Sequence, residues 1–339
     1  MNAGFDAILL VSFGGPEGPA DVIPFLENVL RGKNVPRERL LEVADHYQQF
    51  GGVSPINEQN RRLIAALEQE LERRGPKLPI YWGNRNWSPL LPETVKQMKE
   101  DGVRRALAIV TSAFSSYSGC RQYLENIADA RSQVDGAPTI ERIRVFFNHP
   151  SFVDVNAHHV REALARIPPA RRDDAMLLFT AHSIPLSMSD TCQYVQQLRE
   201  HSRLVAESVG ATRWALVYQS RSGPPAQPWL EPDVNDFIRE QHAAGSLTDA
   251  LIAPIGFISD HVEVKFDLDT EARQTCAELG VGFQRAATAG VHPLFISMLR
   301  DLIAERVESL DSRPTIGEIG PCPDVCDTDC CPRPPARPH

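Results

Sequence analysis

Two stretches decide the fold: Asp6-Ala7-Ile8-Leu9-Leu10-Val11-Ser12-Phe13-Gly14-Gly15-Pro16 and, far down the chain, Asp174-Ala175-Met176-Leu177-Leu178-Phe179-Thr180-Ala181-His182-Ser183-Ile184-Pro185. Each is a short, continuously apolar run that stops in a polar, proline-containing elbow, the pattern of a strand buried on both faces. Working outward, further strand candidates are Leu78–Gly83, Arg105–Thr111 and Ile143–Phe147 after the first run, and Arg213–Gln219, Ala250–Phe257 and Val281–Ala286 after the second. Segments of helical period separate them. Asn60–Gly75 puts Leu63, Ile64, Leu67 and Leu71 on one face and closes on Gly75-Pro76, a helix-stop signal. Leu294–Leu310 repeats the design with Leu294, Phe295, Met298, Leu299, Leu302, Ile303 and Val307. Apolar strands alternating with helices predict an α/β protein of two similar halves, residues 5–150 and 151–313, each with a sheet of about four parallel strands. The last helix is free to pack back on the first half. Ligands of such sheets bind beyond the carboxyl ends of the strands, so the residues just past each strand are the ones to read.

The bulk properties narrow the function. With 339 residues, 42% of them hydrophobic and 23% charged, the chain is a globular protein of about two domains. A formal charge of −9 argues against general affinity for nucleic acid or anionic membranes. No basic segment precedes Ala7–Phe13, and that run ends at once in Gly14-Gly15-Pro16-Glu17, so it reads as a strand entering a turn rather than a signal peptide. No apolar run approaches the ~18 residues of a membrane span, and the cytoplasm is the expected compartment. There is no GxGxxG, GxxxxGK[ST] or GxSxG; Gly14-Gly15-Pro16 lacks a donor that a phosphate would need. Nucleotide and esterase chemistry are not expected.

The residues at the strand ends are unusual. His182 closes the second run, and Ile258-Ser259-Asp260-His261-Val262-Glu263 comes directly after Leu251–Phe257. Asp267 and Glu271 come at successive steps of four, so a helix would carry three carboxylates on one face, where like charges repel. Such a row suits a divalent cation or departing protons; the alternative is a solvated acidic face near a helix start, with structural histidines beside it. In the first half, Gly51-Gly52-Val53-Ser54-Pro55-Ile56-Asn57 is a tight loop with Ser54 as expected N-cap. Asn84-Arg85-Asn86-Trp87 and Thr111–Tyr123 also lie just past strands. Aromatics, hydroxyls and arginines there suit a flat apolar ligand bearing carboxylates, although Phe13, Trp87 and Tyr117 also serve as plain core.

From Pro314 the composition shifts to Pro, Cys, Asp and Arg, giving a Cys/Pro-rich tail over 314–339 whose end, Pro332–Pro335, is expected to be disordered. Cys322, Cys326, Cys330 and Cys331 crowd it. In a reducing compartment four close thiols argue for zinc or an iron–sulfur cluster before disulfides, the alternative being an unligated tail. Adjacent cysteines seldom share one centre, so Cys330 and Cys331 compete for a third place. Cys120, in a polar strand-end loop, is the candidate fourth ligand, with Cys192 and Cys276 left as structural thiols.

Ser12–Pro16, Gly51–Pro55, Ala181–Pro185, Gln219-Ser220-Arg221-Ser222-Gly223-Pro224 with Pro228-Trp229-Leu230, and Gly256–Glu263 jointly resemble the ferrochelatase family over nearly the whole chain. Asn84-Arg85-Asn86-Trp87 and Tyr117-Ser118-Gly119-Cys120 are similar to its actinobacterial branch, which acts on coproporphyrin III and commonly carries a [2Fe-2S] cluster. The resemblance implies a chelatase-type fold of two Rossmann-like (flavodoxin-like) halves with a porphyrin cleft between them. It implies insertion of Fe²⁺ into coproporphyrin III to give coproheme, with release of two protons, in haem biosynthesis. His182 and Glu263 match the family's metal-binding and proton-accepting pair, and His261, Asp267 and Glu271 the polar line behind it. Phe13 stands where relatives often carry a tyrosine facing the metal; Ser54 and Tyr123 match propionate contacts, and Arg31 matches one more loosely. Cys120, Cys322, Cys326 and either Cys330 or Cys331 would hold the cluster. A downstream coproheme-processing enzyme is the implied partner. The competing expectations are the same chemistry on protoporphyrin IX and, from a different class, a non-catalytic tetrapyrrole carrier.

Overall fold

The computed structural model describes residues 4–32, 35–224 and 226–334. In the first half β1 (Ala7–Ser12) leads through α1 (Val22–Val29), α2 (Arg37–Gln49) and α3 (Ile56–Arg74) to β2 (Ile80–Asn84). Then come α4 (Leu91–Glu100), β3 (Arg105–Val110), α5 (Gln122–Ser132) and β4 (Thr139–Arg142). After α6 (Pro150–Ala165) the second half runs β5 (Met176–His182), α7 (Leu186–Ser189), α8 (Tyr194–Val209), β6 (Trp214–Gln219), α9 (Val234–Ala243) and β7 (Asp249–Ala253). It finishes with α10 (Val262–Val264), α11 (Arg273–Leu279), β8 (Gly282–Arg285) and α12 (Pro293–Val307).

The sheets are two, each of four strands, in the orders β2-β1-β3-β4 and β6-β5-β7-β8, and every pairing is parallel. The two runs that opened the sequence are therefore equivalent strands, each second in its sheet. All six residues of β1 are buried, and each large apolar side chain so placed contributes roughly 1.5–3 kcal/mol. α3 stops where the sequence predicts: Gly75 takes φ +70 and its N–H reaches Leu71 O at 2.7 Å. α12 lies against α3, where Arg74 reaches Asp301 and Ser297, and the Arg300 guanidinium donates to Gly75 O.

Four expectations are corrected. The strand expected at Ile143–Phe147 lies earlier, at Thr139–Arg142. Residues 143–147 are all buried, but after the Ile143 N–H bonds Ala108 O at 3.0 Å they leave the ladder and cross the core, carrying Arg144 to a fully buried, two-pronged pair with Glu305 of α12 (2.8 and 2.9 Å). Apolarity marked burial there, not a strand. β7 ends at Ala253, before Pro254, short of the expected Phe257. Ser54 does not cap α3: Pro55 holds that place without a side-chain bond, and Ser54 is buried against the backbone of Gly15 while its N–H donates to Pro16 O. The tail's end is not loose as far as it is described. Arg333 pairs with Glu125, Asn148 donates to Ile319 O, and Arg144 donates to Pro314 O; Pro335 lies outside the described residues.

Candidate active site

His182 is the last residue of β5, paired in register with Gln219 of β6. Its Nδ1 lies 2.5 Å from Ser183 O, and its carbonyl accepts the Tyr194 hydroxyl at 3.1 Å, so ring and backbone are both held. The chain leaving β7 crosses this strand end closely. Gly256 N donates to Thr180 O at 3.0 Å, and a Cβ on Gly256 would stand 2.7 Å from Ala181 Cα. Only glycine permits that approach, and it delivers His261 beside His182.

Arg285, at the end of β8, clamps the delivered loop. It bonds both oxygens of Asp260 at 3.0 Å and Asp269 Oδ1 at 2.8 Å, tying the residue before His261 to the helix beyond. Gln59 of the first half accepts the Asp260 N–H at 2.9 Å. His261 Nδ1 then sits 3.9 Å from Glu263 Oε2, with Phe257 edge-on to its ring. Burial holds its imidazole neutral below the usual range; Glu263 opposes this and His182 adds to it.

The acidic row lies on a widened helix. Lys265–Ala272 is π-helical between α10 and α11, a local form that often marks functional sites. Asp267 projects onto the end of β6, accepting the Ser220 hydroxyl and Gln219 Nε2 (3.2 Å) on one oxygen. Ser220 takes φ +60, a left-handed conformation costing a non-glycine residue roughly 1–3 kcal/mol. Burial first, then the charge of Glu263, pushes Asp267 up to about 7. Glu271, farther out, is raised by burial and by Asp233.

The opposing wall comes from the first half. The loop after β2 is welded to the end of β1: Arg85 N donates to Ser12 O, and Asn86 donates to Phe13 O through both its backbone and its side chain. This sets the Arg85 guanidinium 5.6 Å from the Phe13 ring centroid and 4.6 Å from that of buried Tyr123. Arg85 Nε is buried with no protein partner, although buried N–H groups are almost always paired. Arg31 is exposed beyond α1, bonding Asn28, which in turn reaches Asn86 O.

The hairpin α1–α2 bridges the halves. Its cluster of Val22, Phe25, Leu26, Leu40, Ala44 and Tyr47 takes in Val262 from the second half, and His46 stacks on Phe266 at 3.7 Å between centroids. Phe13 and Trp87 both meet Phe25 edge-on. Strand-end reasoning found the histidines and acids. It missed the loop clamp Arg285 and gave no part to Arg85 individually.

The cysteines form a second group. Cys120 lies on a π-turn, Tyr117–Arg121, with Ser116 accepting Gly119 N–H at 2.9 Å. The buried Arg142 at the end of β4 donates to Cys120 Sγ at 3.1 Å and to Cys326 Sγ at 3.0 Å. Cys330 and Cys331 have their sulfurs 3.7 Å apart, and Gln197 donates to Cys322 Sγ at 3.6 Å. Arg121 holds the carbonyls of Asp327, Thr328 and Cys330. A hydrogen bond from Cys331 and the charge of Arg142 draw the Cys120 thiol well down despite its burial. Cys276 is core, raised to about 11 by burial. Cys192 lies near enough to Cys120 and Cys330 to feel their charge.

Comparison with known proteins gives the family. The ferrochelatase family model matches residues 5–307. A ferrochelatase of Rhodopirellula baltica is 59% identical over 98% of this chain and 95% of its own length. Proteins named coproporphyrin III ferrochelatase are 47% identical in Streptomyces coelicolor (98% of this chain, 95% of that one) and 50% in Frankia alni (96% and 86%). Among solved structures, SirB from Bacillus subtilis with Fe³⁺ superposes with a TM-score of 0.55 at 12% identity, over 89% of this chain and 95% of that one, a likeness of fold alone. The chain belongs to the ferrochelatase family: it is a metal chelatase, a lyase of haem biosynthesis that inserts metal into a porphyrin.

Proposed function

We propose that the porphyrin is coproporphyrin III and the metal Fe²⁺, the product being coproheme. The observation that carries the site assignment is the convergence of His182, His261 and Glu263 at the ends of β5 and β7, with Asp267 poised near neutrality behind them. Insertion of Fe²⁺ breaks two pyrrole N–H bonds and forms metal–nitrogen bonds, so two protons leave as the ion sheds its waters. A neutral imidazole at His182 accepts the first. Glu263 offers its carboxylate to the incoming ion or takes the second. From there the protons pass by way of His261 and Asp267 toward Glu271 and solvent.

Phe13 carries no hydroxyl, so on this reading it would offer the metal no oxygen ligand. Arg85, an unpaired buried cation edge beside Phe13 and Tyr123, supports binding of a substrate carboxylate there, with Arg31, Ser54 and Tyr123 as further contacts. Four carboxylates on coproporphyrin, against two on protoporphyrin IX, match a wall rich in cationic and polar groups, and relatives are named for the former. The carrier reading is set aside by family membership.

The cysteine group fits a [2Fe-2S] centre held by Cys120, Cys322, Cys326 and Cys330 or Cys331. Around zinc, four thiolates at ~2.3 Å would all lie about 3.8 Å apart. Among the described residues no three sulfurs lie within 4.8 Å of one another, which suits ligands shared between two irons. When bound, such a centre supplies one-electron redox chemistry, and insertion consumes no electron; Arg142 would hydrogen-bond two of its sulfurs. We place the enzyme in the cytoplasm, where thiols stay reduced, passing coproheme to a downstream processing enzyme; among the described residues no helix is long and apolar enough to cross a membrane.

The test is anaerobic Fe²⁺ insertion with coproporphyrin III and protoporphyrin IX side by side. Preference for coproporphyrin III supports the reading, and equal or better turnover of protoporphyrin IX refutes the substrate assignment.

A further inference from the structure

Away from the cleft and the cysteine group, α6 carries His158, His159 and Glu162, and the one carboxylate spans both rings. Glu162 Oε1 lies 3.4 Å from His158 Nε2, and Oε2 lies 3.2 Å from His159 Nδ1. Among the described residues this is the one group of three whose ligating atoms all fall within 4.8 Å of one another. An ion bound at 2.0–2.2 Å by imidazole nitrogen and carboxylate oxygen sets neighbouring donors about 3.3–3.5 Å apart; the two rings already approach the carboxylate to 3.4 and 3.2 Å, one at each oxygen, so small side-chain rotations bring three donors around one ion. His158 and Glu162 are about half exposed, which leaves the remaining positions open to water, while His159 is largely packed and fixes the geometry.

The surroundings favour a cation. His292, at the start of α12, packs against both rings (4.9 Å from His158 and 5.4 Å from His159), so the site is walled by a second element. Its Nδ1 accepts Leu294 N–H as a helix cap, which places the proton of the neutral ring on Nε2; it is a wall rather than a ligand. The guanidinium of Arg161 is engaged by Ser208 instead of Glu162.

We propose that His158 Nε2, His159 Nδ1 and the Glu162 carboxylate bind a divalent late first-row ion of the Zn²⁺, Ni²⁺ or Co²⁺ class, with water completing its coordination, at a site separate from His182 and Glu263. Imidazole-rich donor sets select these ions over Mg²⁺ or Ca²⁺. The site does not depend on which porphyrin the enzyme uses.

The test is calorimetric titration of the full chain with Ni²⁺ in the absence of porphyrin. The wild type should bind one equivalent more than Glu162→Gln, and one more than His159→Ala. His182→Ala should keep that equivalent, and Glu162→Gln should insert iron at the wild-type rate. Glu162→Gln, nearly isosteric and half exposed, preserves the fold should His159→Ala fail to. Equal stoichiometry in wild type and Glu162→Gln overturns the proposal, as does loss of all Ni²⁺ binding in His182→Ala.

Discussion

Replacing Asp267 with Asn tests the proton route most directly. The carboxylate accepts from Ser220 and Gln219 on one oxygen, and an asparagine carbonyl can accept the same two donors, so the substitution removes charge while keeping the contacts. Burial and Glu263 raise this group from 3.8 to about 7. An acid whose folded pKa stands above its unfolded value holds its proton more tightly in the fold. Ionising it therefore costs nothing below about pH 4, costs progressively more between 4 and 7, and costs the full amount above 7. Three units correspond to roughly 4 kcal/mol at most, so Asp267→Asn should melt higher than wild type at pH 8 and equally at pH 4. Activity should move the other way. If ionised Asp267 carries protons, its competent fraction rises about tenfold from pH 6 to pH 8, and the wild-type kcat should track that limb. The Asn variant should lose the limb and fall by about 10² or more, the lower range for a general base. The assay is anaerobic Fe²⁺ insertion monitored by porphyrin absorbance over pH 5.5–9, with thermal melts in the same buffers. A rising limb near pH 7 that survives in Asp267→Asn refutes the assignment.

Other expected outcomes rest on the same contacts. His182→Ala should abolish insertion while porphyrin still binds, checked by turnover and by fluorescence titration; retained turnover contradicts its role. Arg285→Ala leaves Asp260 and Asp269 facing each other without their cation, and should cost about 3 kcal/mol in chemical denaturation; it should lower kcat more than porphyrin affinity, because the displaced loop carries His261. Arg142→Gln removes the cation from beside Cys120 and Cys326, so purified protein should show altered visible absorbance and lower acid-labile sulfide than wild type; a colourless, zinc-containing wild type would instead favour a structural zinc site.

The fold class and half of the candidate site were legible because their signals are local. Continuous apolar runs such as Ala7–Val11 and Leu177–Ala181 register as buried strands whatever packs on them. The elbow after each strand marks where ligands bind, and that marked His182, His261 and Glu263. Position along the chain also set the four tail cysteines apart from Cys192 and Cys276. Local signals failed where burial and hydrogen bonding come apart. Residues 143–147 are nearly as apolar as a strand, yet they pack into the core outside the sheet, where Arg144 meets Glu305 from a distant segment. Nothing in the periodicity distinguishes Arg285, which joins Asp260 to Asp269, from a solvated arginine. The capture of Val262 by the α1–α2 hairpin is likewise a product of packing between the halves, and the widened helix under Asp267 has no signature in the apolar periodicity. The sequence by itself determined the two sheets and which residue types stand at their ends, because side-chain pattern and strand geometry act over a few residues. Only the tertiary structure decided which of those groups are held, shifted in pKa or left unpaired, because burial and Coulomb interaction depend on neighbours far apart along the chain.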